Sequence, residues 1–313
     1  MPVSSPAGSP ASGRKCSKEN NDIMKLTKNA GTFCALLAAV LYALNAPVSK
    51  LLLSHIGPTM MAAFLYLGAG GGMALLRCFR RNRTGEVPLT KADLPYTLGM
   101  VALDIAAPVF LMVGLTMTTA ANASLLNNFE IAATSLIALL LFREKISGRL
   151  WAAIGLVTLS SVLLSLEGED SFSFSVGSLF VLLACCSWGL ENNCTRALSE
   201  KDPLEIVVVK GFGSGGGAFV IALVLGEEIP SLPDILAALV LGFVAYGLSI
   251  FFYIYAQRVL GAAKTSAYYA VAPFIGTALS LLIFRQIPPA IYWIALVVMI
   301  GGTWLATADG TDE

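Results

Sequence analysis

Apolar residues recur along the chain in long runs separated by short polar segments. A window of about 20 residues, the length a helix needs to cross hydrocarbon, picks out ten such runs. They extend from Ala30 to Leu53, Pro58 to Leu76, Leu94 to Leu115, Ala120 to Phe142, Leu150 to Leu166, Val176 to Thr195, Leu204 to Leu225, Ile235 to Tyr255, Ala262 to Ile283 and Ala290 to Thr307. Between them lie the turn and charge signals of interfacial loops: His55-Ile56-Gly57-Pro58, Arg80-Arg81-Asn82-Arg83, Glu167-Gly168-Glu169-Asp170 and Ile287-Pro288-Pro289. Residues 1–29 are rich in Ser, Pro, Gly and Lys and read as a disordered tail, with a second short tail at 308–313. The first run is too long for the apolar region of a signal peptide and reads as a retained helix. This pattern predicts an all-α integral membrane protein of ten transmembrane helices, with little chain left for a domain outside the bilayer.

Composition narrows the function classes. Only 13% of the 313 residues are charged and 56% are hydrophobic, against about 25% charged in an average soluble protein. Mean hydropathy is +0.76. A soluble single-core protein and a disordered chain are both excluded. Twenty Lys and Arg balance twenty Asp and Glu, so the basic surplus that nucleic-acid binding needs is missing. The six Cys form no CxxC and no Cys/His cluster, and His55 is the single His; neither a zinc site nor a disulfide framework is expected. No GxxxxGK[ST] occurs, and the match to GxGxxG at Gly211 to Gly216 lies within an apolar run and follows no strand. No cofactor is expected.

The balanced charge is unevenly placed. With a cytoplasmic N-terminus, every cation except Lys50, Lys210 and Arg285 falls on the inner side, whereas Glu167, Glu169 and Asp170 in one loop and Glu227, Glu228 and Asp234 in another lie outside. The positive-inside rule therefore predicts both termini in the cytoplasm and a multi-pass protein of the cytoplasmic membrane.

The chain also repeats itself. Gly31-Thr32-Phe33-Cys34-Ala35-Leu36-Leu37-Ala38 matches Gly177-Ser178-Leu179-Phe180-Val181-Leu182-Leu183-Ala184, with Tyr42 opposite Trp188, Asn45 opposite Glu191 and Lys50 opposite Arg196. Gly68 to Gly72 matches Gly213 to Gly217, Leu139 to Arg143 matches Leu281 to Arg285, and Trp151 falls opposite Trp293. The halves, 30–166 and 176–307, each hold five runs. Five is odd, so the copies cross the membrane in opposite senses: a 5+5 inverted-topology repeat, the architecture of many secondary transporters.

With this repeat, Leu141-Phe142-Arg143-Glu144 closing the fourth run and Ala272-Pro273-Phe274-Ile275-Gly276 within the ninth, the chain resembles the EamA type of the drug/metabolite transporter superfamily. The resemblance implies a secondary carrier, not an enzyme, and favours export of a small metabolite or amphiphilic drug. Two positions depart from the family pattern: Ile131 stands where a helix Pro is frequent, which Pro273 supplies in the second half, and Gln286 replaces the acid matching Glu144.

Polar residues within the runs are the candidate site, because charge in hydrocarbon is costly and turns toward protein or a cavity. Asp104 and Glu130 are equidistant from Met117, and a hairpin there puts both near the midplane; whether they meet is left open by the sequence. Ala123, Asn127, Glu130 and Thr134 form one stripe at helical spacing, as do Ser187, Glu191 and Thr195, with Asn192 and Asn193 beside them. Asn45 sits with Tyr42 and Ser49 in the first run. Lys210, the lone cation within a run, is open to binding a carboxylate, pairing with Glu191 or snorkelling to the surface. Tyr246, Tyr253, Tyr268, Tyr269 and Trp188 offer ring faces to a cation. Three buried acids against one such cation point to a cationic or zwitterionic, amino-acid-like substrate and away from a phosphorylated one. Asp104 and Glu130 are also candidates for proton uptake and release, which would couple transport to a proton gradient. Gly68 with Gly72 and Gly213 with Gly217 fit small-xxx-small helix packing. The competing readings are an intramembrane enzyme using buried carboxylates and a channel or scramblase. Monomer and homodimer both remain compatible with the sequence.

Overall fold

The computed structural model describes residues 29–79, 87–142, 147–165, 175–198, 200–260, 265, 268–285 and 288–309. Of the expected tails at 1–29 and 308–313, residues 1–28 and 310–313 lie outside the described residues, as do the Arg80 to Arg83 run and the acidic loop at 167–170, whereas Asn29 and residues 308–309 are helical. The chain is helical: α1 (Asn29–Leu52), α2 (Pro58–Phe79), α3 (Leu94–Met117), α4 (Ala120–Leu126), α5 (Phe129–Phe142), α6 (Gly148–Ser165), α7 (Val176–Leu198), α8 (Pro203–Val224), α9 (232–260, with a π turn at Phe243–Leu248), α10 (Ala272–Phe284) and α11 (Ala290–Asp309). Among the described residues, the Val87 and Lys201 bridge is the one β pairing. Five segments are long and apolar enough to cross a membrane: Asn29–Leu52, Pro58–Phe79, Lys91–Met117, Pro203–Val224 and Leu232–Ala256. Shorter apolar helices cover Gly148–Leu164, Ala272–Phe284 and Ala290–Leu305.

The fourth apolar run differs from its expected form. It is two helices, broken at Asn127 and Asn128. The Asn128 side-chain amide donates to the Leu125 carbonyl at 3.3 Å, and the following backbone bonds shorten to i→i−3: Glu130 N to Asn127 O and Ile131 N to Asn128 O, both 3.1 Å. Asn side chains compete with the helix ladder in this way. The second half is interrupted in the matching place, at Ala270 and Val271, just before Pro273, which has no N–H to continue the ladder. A turn at Leu44 also interrupts α1.

Glycines set close helix approaches, and each of the two pairs that the spacing suggests forms one packing face. A Cβ on Gly68 or Gly72 would meet Leu239 backbone or the Phe243 ring, both on α9, whereas one on Gly213 or Gly217 would meet Val101 or Ile105 on α3. The glycine pairs of the two repeats thus each face the third helix of the other half. Between them Gly70 and Gly211 bring α2 and α8 together backbone to backbone. Gly211→Val places two methyls and a Cβ against the Gly70 main chain. It is expected to cost about 1–3 kcal/mol, the usual price of overpacking, seen as a lower unfolding midpoint in detergent; an unchanged midpoint would refute the contact.

Charged side chains nearer the surface also fix the helix ends. Glu227 accepts the Thr59 and Met60 amides at 3.0 and 2.7 Å, satisfying donors at the start of α2. Lys50 donates to the carbonyls of Leu115 and Thr118 at the end of α3. At the other ends of these helices Lys201 pairs with Asp93 at 2.9 Å, and Arg77 approaches Glu205 at 3.9 Å.

Candidate substrate site

Three ionisable side chains from three helices converge in the interior. Lys210 of α8 places its Nζ 3.1 Å from Oδ2 of Asp104 on α3 and 2.9 Å from Oε1 of Glu191 on α7. Asp104, Glu191 and Lys210 are 0%, 2% and 5% exposed. Tyr66 of α2 donates its hydroxyl to Asp104 Oδ1 at 2.8 Å, and Thr195, one turn along α7, donates to Glu191. A buried charge without a partner is strongly unfavourable. Here each carboxylate has both an ammonium and a hydroxyl.

Glu130 is set apart from this bridge. It sits in the first turn of α5, part-buried, and its Oε1 accepts the Asn192 amide at 2.6 Å. The same amide reaches Thr134 at 3.5 Å. Asn192 follows Glu191 directly, so α7 touches both the bridge and Glu130. Among the described residues no Lys, Arg or His lies within ion-pair distance of Glu130.

Aromatic rings gather beside Glu130. The Tyr42 ring lies 6.5 Å from Trp188, 6.0 Å from Tyr246 and 5.8 Å from Tyr269, and Tyr66 stacks edge-on to Tyr246 at 5.0 Å. Glu130 is within electrostatic range of the Tyr42, Tyr246 and Tyr269 hydroxyls. Asn45 donates to the Tyr246 hydroxyl at 3.1 Å and accepts from Ser49 at 3.0 Å. Next to Tyr42 is a small, half-open cavity with room for about one water molecule, walled by Tyr42, Asn45, Ser124, Asn127, Pro273 and Gly276. It lies where the α1 turn, the α4/α5 break and the start of α10 come together. Ser124 Oγ, buried in its wall, has no hydrogen-bond partner.

The EamA-like transporter family model matches residues 29–166 and 175–308, nearly the whole described chain. This chain belongs to the EamA-like transporter family. It is therefore a membrane transporter of the drug/metabolite transporter superfamily and a multi-pass membrane protein. An uncharacterized transporter of Methanothermobacter thermautotrophicus is 27% identical over 300 residues, covering 90% of this chain and 87% of the relative. A crystal structure with 16% identity superposes with a TM-score of 0.65, covering 91% of this chain and 96% of that one; at that identity it shows the fold alone.

In this EamA-like chain the polar positions singled out in the sequence are distributed over two neighbourhoods. Asp104 does not pair with Glu130; Lys210 holds Asp104 to Glu191 and is buried, not snorkelled. Asn192 meets Glu130, and Asn45 and Tyr269 join the ring cluster. Asn127 lines the cavity. Tyr268 is 39% exposed and stands outside the cluster. Two participants carried little signal in the sequence: Tyr66, a lone phenol just before the glycine stretch of α2, and Ser124, one small residue among others in α4. Among the described residues no three His, Cys, Asp or Glu side chains are grouped as metal ligands.

Proposed function

We propose that this protein is a secondary transporter with ten membrane spans in a 5+5 inverted arrangement, working by alternating access on a small amine-bearing metabolite, cationic or zwitterionic. Export across the cytoplasmic membrane, both termini inside, is the direction and placement the family resemblance and the distribution of cations favour. The observation that carries the reading is the acidic interior: Asp104, Glu191 and Glu130 against Lys210, beside a cavity formed at interrupted helices. Transporters with inverted repeats place substrate sites at such interruptions, and excess negative charge there favours a positive ligand. Protons are the proposed coupling ion, with Glu130 as the exchanging group. Asp104 and Glu191 are engaged with Lys210, which leaves no free acid and base pair and argues against intramembrane catalysis.

Comparison of metabolites inside cells and in the medium, with and without the gene, tests this. Loss of the gene is expected to raise an amine-bearing compound inside and lower it outside. A change confined to anionic metabolites, or no change, would overturn the reading.

A further inference from the structure

Resting on the transport reading above, a finer selectivity can be drawn from how the interior charges are paired. We propose that the site accepts organic cations and rejects their carboxylate-bearing counterparts, because Asp104 and Glu191 occupy Lys210 while Glu130 is left to receive the ligand's positive group. Asp104 and Glu191 are on this account specificity-determining residues that act through Lys210.

The charge count comes first. Two carboxylates around one ammonium leave the bridge with formal charge −1, and Glu130 adds a second negative charge close by, joined to the first through the adjacent Glu191 and Asn192 of α7. A substrate carboxylate brought into this interior would meet like charge in a medium that screens poorly.

Among the described residues, the cations of this interior are already engaged. Lys210 is already ion-paired with both carboxylates. Lys50 donates to the Leu115 and Thr118 carbonyls. The Asn45 amide is given to Tyr246. The start of α10 borders the cavity, and a helix start ordinarily offers amides to an anion, yet Pro273 lacks one of them. Ser124 remains as a hydroxyl, too little to replace a carboxylate's hydration.

The cationic side is better furnished. Glu130 has one oxygen fixed by Asn192 and no counter-ion among the described residues, and the same interior holds the Tyr42, Tyr269 and Trp188 rings close to one another. A carboxylate attracts an ammonium directly, and aromatic rings in the same interior add cation–π attraction where a ligand reaches their faces.

Matched probes that differ in the carboxylate test the idea on purified full-length protein: ethanolamine against glycine, choline against glycine betaine, and 2-phenylethylamine against phenylalanine, with binding measured by isothermal titration calorimetry. In at least one pair the cation is expected to bind about tenfold tighter or more than its partner. Glu130→Gln should weaken that cation by a similar factor. Asp104→Asn, or Glu191→Gln should the first not fold, releases one arm of Lys210 and should narrow the gap within the pair. Cations that bind no tighter than their carboxylate-bearing partners in every pair would overturn the selectivity while leaving the transport reading standing. Absence of binding by every cation would overturn the site assignment, and transport itself is judged separately by the metabolite comparison. A gap unchanged in the folded Asp104 or Glu191 variant would remove those residues from the specificity argument.

Discussion

Lys210→Met is expected to lower the stability of the folded protein by about 3–5 kcal/mol, the cost of removing one partner from a buried ion network. Asp104 and Glu191 would then face each other across the space the ammonium had filled, with only the Tyr66 and Thr195 hydroxyls on them. The loss should come from stranded charge and not from lost packing, since methionine nearly matches the lysine stem. A triple variant, Lys210→Met with Asp104→Asn and Glu191→Gln, should accordingly recover most of the midpoint, because a neutral replacement removes the desolvation problem along with the attraction. Unfolding in detergent distinguishes the cases. A single variant as stable as the parent, or a triple variant no better than the single, would show that the bridge does not hold α3, α7 and α8 together.

Glu130→Gln should leave the fold intact and cut transport by about tenfold or more, corresponding to roughly 1.4 kcal/mol or more of lost ligand interaction. Glutamine keeps the carbonyl oxygen that accepts from Asn192, so the local hydrogen bond survives. What disappears is the negative charge. Flux by protein reconstituted in vesicles should respond to an imposed pH gradient, and the response should vanish in the variant. Parent flux indifferent to the gradient would end the proton role, and undiminished flux in the variant would end the substrate role as well.

How far the site could be read from the chain follows from what an apolar run encodes. Burial is legible: polar positions inside apolar runs turn inward, and Asp104, Glu191 and Lys210 are buried in the helix bundle. Rotation about the helix axis is only half legible, and the partner across the interior hardly at all. Asp104 and Glu130 lie equally far along the chain from Met117, yet Asp104 turns to Lys210 because α8 packs against α3 through Gly213 and Gly217. Tyr66 is recruited only because α2 lies alongside them. The broken fourth run was hidden for another reason: hydropathy averages over Asn127 and Asn128, whereas the backbone responds to their side chains individually. The matching interruption before Pro273 had a visible cause.

These two interruptions are copies in position but not in mechanics. At the first, every residue retains an amide, so a modest shift of register could anneal α4 and α5 into one rod, carrying Asn127 and Glu130 round relative to α7. At the second, Pro273 makes the discontinuity permanent. One half of the molecule therefore owns a reversible hinge and the other a fixed one, and the working stroke need not be shared equally between them.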